Sequence, residues 1–153
     1  MVWGAGSTGG VAAYRFGCQL AENAKYPAVV GALPEAHHNQ VVSFDGTLAG
    51  GATTEADLFR DRVDDEEPLR LRLVLVHDDD GDEAVKARVS VSEQLARERG
   101  MAVTSLRSEG SGQVERLASL VGLIDYATVY LALLHGIDPT PVAPIDALKQ
   151  RLA

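Results

Sequence analysis

The run LRLRLVLV, residues 69 to 76, constrains the fold more than any other part of the chain. It opens with alternating Leu and Arg and closes in consecutive apolar residues, the pattern of a strand leaving solvent for a sheet covered on both faces. Pro68 separates it from the charge cluster RDRVDDEE, and HDDDGDE follows it as a solvated turn. A sheet covered on both faces needs helices on each side. EAVKARVSVSEQLARERG reads as an amphipathic helix closed by Gly100, MAVTSLR as a further strand, SEGSGQ as a turn and residues 113 to 135 as a long helix.

The N-terminal part repeats the alternation. MVWG is a short strand, AGSTGG a glycine-rich turn, and a helix is expected from about Thr8 to Lys25, capped by Ser7 or Thr8 and stopped by Pro27. AVVGAL can run extended, and PEAHHNQVVSF opens with Pro34 at a first helical position. Residues 45 to 56 are small and polar, as in a loop, and DPTPVAPIDALKQRLA is an extended Pro-rich segment leading into a short last helix. In the long helix Val114, Leu117, Val121, Ile124, Thr128 and Leu131 share one face, and Leu120, Leu123, Ala127 and Leu134 widen it, so most of its sides are expected to be covered. Strands alternating with helices imply an α/β fold, a parallel sheet flanked by helices on both faces, in one domain spanning residues 1 to 153.

Charge and cysteine content narrow the partners. A net charge of -8 repels a phosphate backbone, which disfavours nucleic acid. Cys18 is the single cysteine, so neither an intrachain disulfide nor a Cys-rich zinc site can form, and a cytoplasmic location is expected. MVWGAGSTGG does not read as a signal peptide. Residues 117 to 137 are long enough to cross a bilayer, yet Asp125 lies at their centre, which points to a helix in water and no membrane partner.

Several groups could carry chemistry. GAGSTGG, between a strand and a helix, can bind an anion through backbone N–H groups, or can simply let the helix pack closely. Glu22 falls in the last turn of its helix, where the dipole disfavours a negative charge and suits a group that exchanges protons; taken alone, a Glu in such a place is more often a solvated surface residue. Glu35, just after Pro34, is explained by a helix N-terminus. Adjacent His37 and His38 diverge by about 100° on a helix, unlike metal ligands three or four residues apart, so general acid–base chemistry is the better functional reading and no metal is expected. The acidic clusters lack the further ligands of a calcium loop, and local context makes Lys149 an ordinary helical lysine.

QLAENAKYPAVVGALPEAHHNQ and the terminal DPTPVAPIDALKQRL together resemble the bifunctional phosphoglucose/phosphomannose isomerases of the sugar isomerase (SIS) domain superfamily. The resemblance rests on an ENAK-type helix end, a PE..HN opening of the next helix and a Pro-containing close on LK; it covers both ends of the chain, with the middle matched by element order. It implies a flavodoxin-like SIS half-domain, equivalent to the second subdomain of such enzymes, with the first absent. By position, Glu22 matches the base that moves a proton between C2 and C1 of an open-chain sugar phosphate. His38, followed by Asn39, matches a histidine that helps open the sugar ring, His37 stands where Asn is common, and Lys149 matches a lysine that also serves ring opening. Asn39 and the turn at Gly6, Ser7 and Thr8 would then line the substrate. No cofactor is implied.

In that family the main Ser/Thr-rich phosphate loop and an Arg near the base belong to the other subdomain, and the histidine reaches into a partner subunit's site. The resemblance therefore also implies a homodimer, or association with a first SIS subdomain. The rival expectations are a sugar-phosphate-binding module and a remnant without catalysis.

Overall fold

The apolar runs at the start and in the middle of the chain pair side by side. In the computed structural model, which describes residues 1–49, 69–78, 80 and 82–152, four strands form one parallel sheet. They are β1 (Val2–Ala5), β2 (Val30–Ala32), β3 (Arg72–His77) and β4 (Ala102–Arg107), in the order β2-β1-β3-β4. The helices are α1 (Gly6–Glu22), α2 (Glu83–Glu98), α3 (Gln113–Leu134) and α4 (Ala143–Leu152), with short 3-10 segments at Glu35–His37 and Gln40–Asp45. The expected α/β architecture is therefore present. The RDRVDDEE cluster, the part of the 45 to 56 loop beyond Ala49, and Asp79 and Gly81 of the acidic turn lie outside the described residues.

Each face of the sheet has its own core. Trp3, Ala5, Leu73 and Leu75 pack with Ala36 and Phe44 of the 3-10 segments and with Val89 and Ala96 of α2. Val2 and Val76 turn the other way, against Ala12, Ala13, Phe16 and Leu20 of α1 and Leu120 and Ile124 of α3. The chain reverses its winding between β1 and β3, so α1 and α2 land on opposite faces. Trp3, the only tryptophan, is wholly buried: its Nε1 donates to Gln40 Oε1 at 2.7 Å and its ring stacks on Phe44.

The glycine-rich turn packs more tightly than expected. Helix α1 begins at Gly6, two residues before the expected start, with Ala5 as N-cap; neither Ser7 nor Thr8 caps it. A Cβ at Gly6, whose φ is +74°, would sit 2.3 Å from the Asp78 carbonyl oxygen, and one at Gly9 would sit 2.6 Å from that of Val76. These glycines let α1 lie directly on the end of β3, and Thr8 is buried there.

Helix α2 is capped as its sequence suggests: Asp82 accepts from the N–H groups of Ala84 and Val85, and Gly100 adopts φ +72° just beyond the end. Pro34 differs from expectation, preceding a three-residue 3-10 turn at its N-cap rather than opening an α-helix.

Helix α3 departs most from the expected cover. It buries one stripe, Leu120, Ile124, Thr128 and Ala132, whereas Leu123 (51%), Tyr126 (69%), Tyr130 (61%) and Leu134 (84%) are exposed. Val114, expected on the covered face, is also exposed, because it precedes the turn at which α3 meets α1. Asp125 is accounted for by Arg15 of α1, whose Nε and terminal nitrogen donate to its two oxygens at 2.9 and 2.6 Å. The helix is long and apolar enough to cross a membrane by length and composition alone; this ion pair and the buried stripe tie it to α1.

Candidate active site

Where α1 ends, the chain turns sharply to start β2, and the Pro-rich segment before α4 returns to the same place. Between them lies a cleft of about 350 Å³ lined by Cys18, Ala21, Glu22, Lys25, Pro141, Val142, Pro144 and Ile145. Its walls are largely apolar, and Glu22 and Lys25 supply one carboxylate and one ammonium. Lys149 follows Ile145 by four residues, so it falls on the side of α4 that carries this cleft-lining residue. Glu22 and the segment that leads into α4 are thus brought together from opposite ends of the sequence, while Lys149, further along α4, does not itself line the cleft.

The other candidates are placed elsewhere. Gly6, Ser7 and Thr8 stand at the first turn of α1 and Glu22 at its last, a separation of roughly 24 Å at helical rise. That exceeds the length of a six-carbon sugar phosphate, so within one copy this turn does not line the Glu22 cleft. His38 and Asn39 belong to the layer on the opposite face of the sheet, because Ala36 packs with Trp3 while Leu20 packs with Val2. His38 is exposed: its N–H donates to the Glu35 carbonyl at 2.9 Å, and its side chain makes no hydrogen bond or ion pair among the described residues. Asn39 caps the second 3-10 segment: its Oδ1 accepts from the Gln40 N–H at 2.6 Å and its Nδ2 donates to Glu35 at 3.0 Å.

His37 is the anchored member of the pair. Its Nε2 lies 2.7 Å from Ser92 Oγ, and that hydroxyl already donates to the Arg88 carbonyl, so Nε2–H is the donor to Ser92. Burial, followed by the nearby Arg88 and His38 charges, holds His37 below the usual imidazole range. A depressed histidine contributes stability that is complete above the unfolded value, about 6.5, and is lost as pH falls through the lower folded value. His37→Asn is therefore expected to lose less stability than the parent between about pH 7.5 and pH 5.5. Urea midpoints at the two pH values check this, and an equal loss in both proteins contradicts it.

The sequence compares most informatively over its whole length. The family described as bacterial phospho-glucose isomerase C-terminal SIS domain matches residues 1–152. The chain belongs to that family. Among curated relatives, it is similar to the bifunctional phosphoglucose/phosphomannose isomerases of Aquifex aeolicus, at 32% identity over 92% of this chain and 38% of the relative, and of Caldicellulosiruptor bescii, at 31% over all of this chain and 40% of the relative. The Thermoplasma acidophilum enzyme of the same name is 26% identical over 92% of this chain. The SIS domain thus spans about two-fifths of the length of the relatives it matches.

Two residues of the cleft region carried no role in the sequence reading. Asn23 and Lys25 flank the cleft end of α1 within the same ENAK motif that identified Glu22. Lys25 adopts φ +56°, uncommon for a residue with a side chain, and its Nζ donates to the Glu22 carbonyl at 2.6 Å. The signal was the ENAK segment itself, in which Asn23 and Lys25 stand beside the acid.

Proposed function

We propose that this SIS domain supplies the proton-transfer groups of an aldose–ketose isomerase acting on glucose 6-phosphate or mannose 6-phosphate to give fructose 6-phosphate. The single observation that carries the reading is the cleft in which Glu22 faces the segment leading to Lys149. The relatives' names supply the substrate class.

In this reading Lys149 and His38 assist ring opening: His38 hands a proton to the ring oxygen as the C1–O5 bond breaks, and O1 gives up its proton as it becomes the C1 carbonyl. Glu22 then takes the C2 proton, and the C2–H electron pair becomes the C1=C2 bond of an enediol as the C1 oxygen is protonated. Return of the proton to C1 and loss of the O2 proton leave the C2 ketone. Glucose and mannose phosphates differ only at C2 and share that enediol, so one base serves both. C1 is reduced as C2 is oxidised, so no external oxidant or reductant is consumed. A cytoplasmic substrate pool fits this chemistry.

A complete site is proposed to need more than one unit. Glu22 and His38 belong to opposite layers of a copy, and the stripe Leu123, Tyr126, Tyr130 and Leu134 leaves apolar surface for an associating body, either a second copy or a unit of the kind that fills the relatives' remaining length.

Subunit complementation tests this. Glu22→Gln and His38→Ala variants are each expected to lack turnover of fructose 6-phosphate in a coupled assay. Co-refolded in equal amounts, they are expected to recover about a quarter of parent turnover, the share of sites that pair a parental Glu22 with a parental His38 in random two-fold dimers. No recovery excludes a site shared between copies. A thermal shift with fructose 6-phosphate and no turnover in any mixture would favour the binding-module reading.

A further inference from the structure

A base that moves a proton between neighbouring carbons must hold its carboxylate in a narrow range of positions, and a glutamate in the last turn of a helix is poorly placed for that. Helix ends fray, and the last carbonyls repel a nearby carboxylate. The structure contains a set of contacts around Glu22 that oppose both effects. Asn23, the C-cap of α1, directs its side chain into the protein: Nδ2 donates to Thr128 Oγ1 at 2.9 Å and to Gln19 Oε1 at 3.0 Å. Thr128 is completely buried in the middle of apolar α3, and its own hydroxyl donates to the Asp125 carbonyl at 2.9 Å. Gln19, oriented by Asn23, points its Nε2 toward Glu22 Oε2 at a long 3.5 Å. On the other side Lys25 Nζ caps the Glu22 carbonyl and reaches the Pro139 carbonyl at 3.4 Å, in the segment that forms the facing wall of the cleft.

A threonine hydroxyl sealed inside an apolar helix contact calls for explanation, since valine would fill the same space. Its acceptor is used by one group, the side chain next to Glu22. We propose that Asn23, held by Thr128, is a positioning residue for Glu22: it locks the last turn of α1 and, through Gln19, restricts the carboxylate to the orientation that faces the cleft. This deepens the isomerase reading and rests on it for its catalytic consequence, while the restriction of Glu22 is a property of the folded chain alone.

The test uses Thr128→Val, which removes the acceptor and keeps the volume, and Thr128→Ser, which restores it. Side-chain carbon relaxation by NMR of Glu22 reads the restriction directly. The Glu22 methylene order is expected to fall in Thr128→Val and to return in Thr128→Ser, with backbone order in α3 unchanged; equal Glu22 order in all three proteins overturns the proposal. In the assembly that turns over fructose 6-phosphate, Thr128→Val is expected to lower kcat by roughly tenfold to a hundredfold with KM nearly unchanged, because misplacement of a reacting group is felt in the transition state. An unchanged kcat where Glu22→Gln abolishes turnover also overturns it. Retention of full turnover by Glu22→Gln would remove Glu22 as base, and the relaxation measurement would still decide whether Thr128 and Asn23 hold it.

Discussion

Glu22→Gln is expected to lower isomerase turnover by about 10²- to 10⁴-fold, or about 3–5 kcal/mol of barrier, the usual contribution of a positioned general base. The amide keeps the shape of the carboxylate, so fructose 6-phosphate affinity is expected to change little and the loss to appear in kcat. Stability is expected to rise slightly. Glu22 is exposed in the last turn of α1, where a negative charge opposes the helix dipole, and Gln removes that charge. A coupled assay and a thermal melt separate the two effects: a large fall in kcat with an equal or higher melting temperature is the predicted pair. Retention of parent kcat would remove Glu22 as base.

Asp78→Ala is expected to cost about 3 kcal/mol of folding stability, because removing one partner of a buried ion pair strips the other of its most buried contact. Asp78 follows β3 and lies 3.0 Å from Arg116 Nε, with side chains 5% and 13% exposed. Ser108 Oγ, just after β4, donates to the same carboxylate at 3.0 Å, and Asp78 N–H donates to the Ala5 carbonyl at the end of β1. One residue therefore joins three strand ends to the first turn of α3. Arg116 keeps exposed Asp80 at 2.7 Å, which holds the cost near the lower end for such pairs.

The acid response of this group has a definite sign. Burial pushes the Asp78 carboxyl up, but the neighbouring Thr8 hydroxyl, the hydrogen bond from Ser108 and the Arg116 charge outweigh it and hold the group below the usual carboxylate range. A depressed carboxylate stabilises the fold above its unfolded value and loses that contribution as pH falls through the lower folded value. Its loss therefore begins in more acid solution than that of His37. Urea titrations of the parent and Asp78→Ala across acid pH are expected to converge as pH falls; a constant difference would contradict the assignment.

Strand β3 was legible because its run passes from alternating to continuously apolar, the pattern of a strand entering a covered sheet. Leu73 to Val76 is continuously apolar and became the central strand β3, with Arg72, still in the alternating part, exposed. Helix α2 was legible at both ends, through Asp82 and Gly100, because its caps are local chemistry. The start of α1 was not. Ser7 and Thr8 have good capping side chains, but tight packing on β3 places Thr8 inside, next to Asp78, and the helix begins without a side-chain cap. The outward stripe of α3 was hidden for a different reason: an apolar face seen in sequence does not say whether one neighbour or several will cover it.

At the site, motif resemblance drew attention to Glu22 and Lys149, and the fold brings their segments to one cleft. It also grouped with them residues that the topology separates. Distance along a helix divides Gly6, Ser7 and Thr8 from Glu22, and the reversal of winding between β1 and β3 divides His38 from it. Neither separation can be read from proximity in sequence, where sixteen residues span Glu22 to His38 and the first turn of α1 lies equally close.

The burial of Trp3 equips the molecule with an optical gauge at a useful place. Its indole touches Phe44, His37 and Gln40, all in the segment that presents His38 to solvent. Emission from a single indole shielded in this way is expected to lie at short wavelength and resist iodide quenching, then dim as the neighbouring imidazole gains a proton. Any loosening of the 34–45 segment, from a partner's arrival or a substitution beside His38, would be visible in a fluorimeter without labelling, while events confined to the α1–α3 face would leave the emission unchanged.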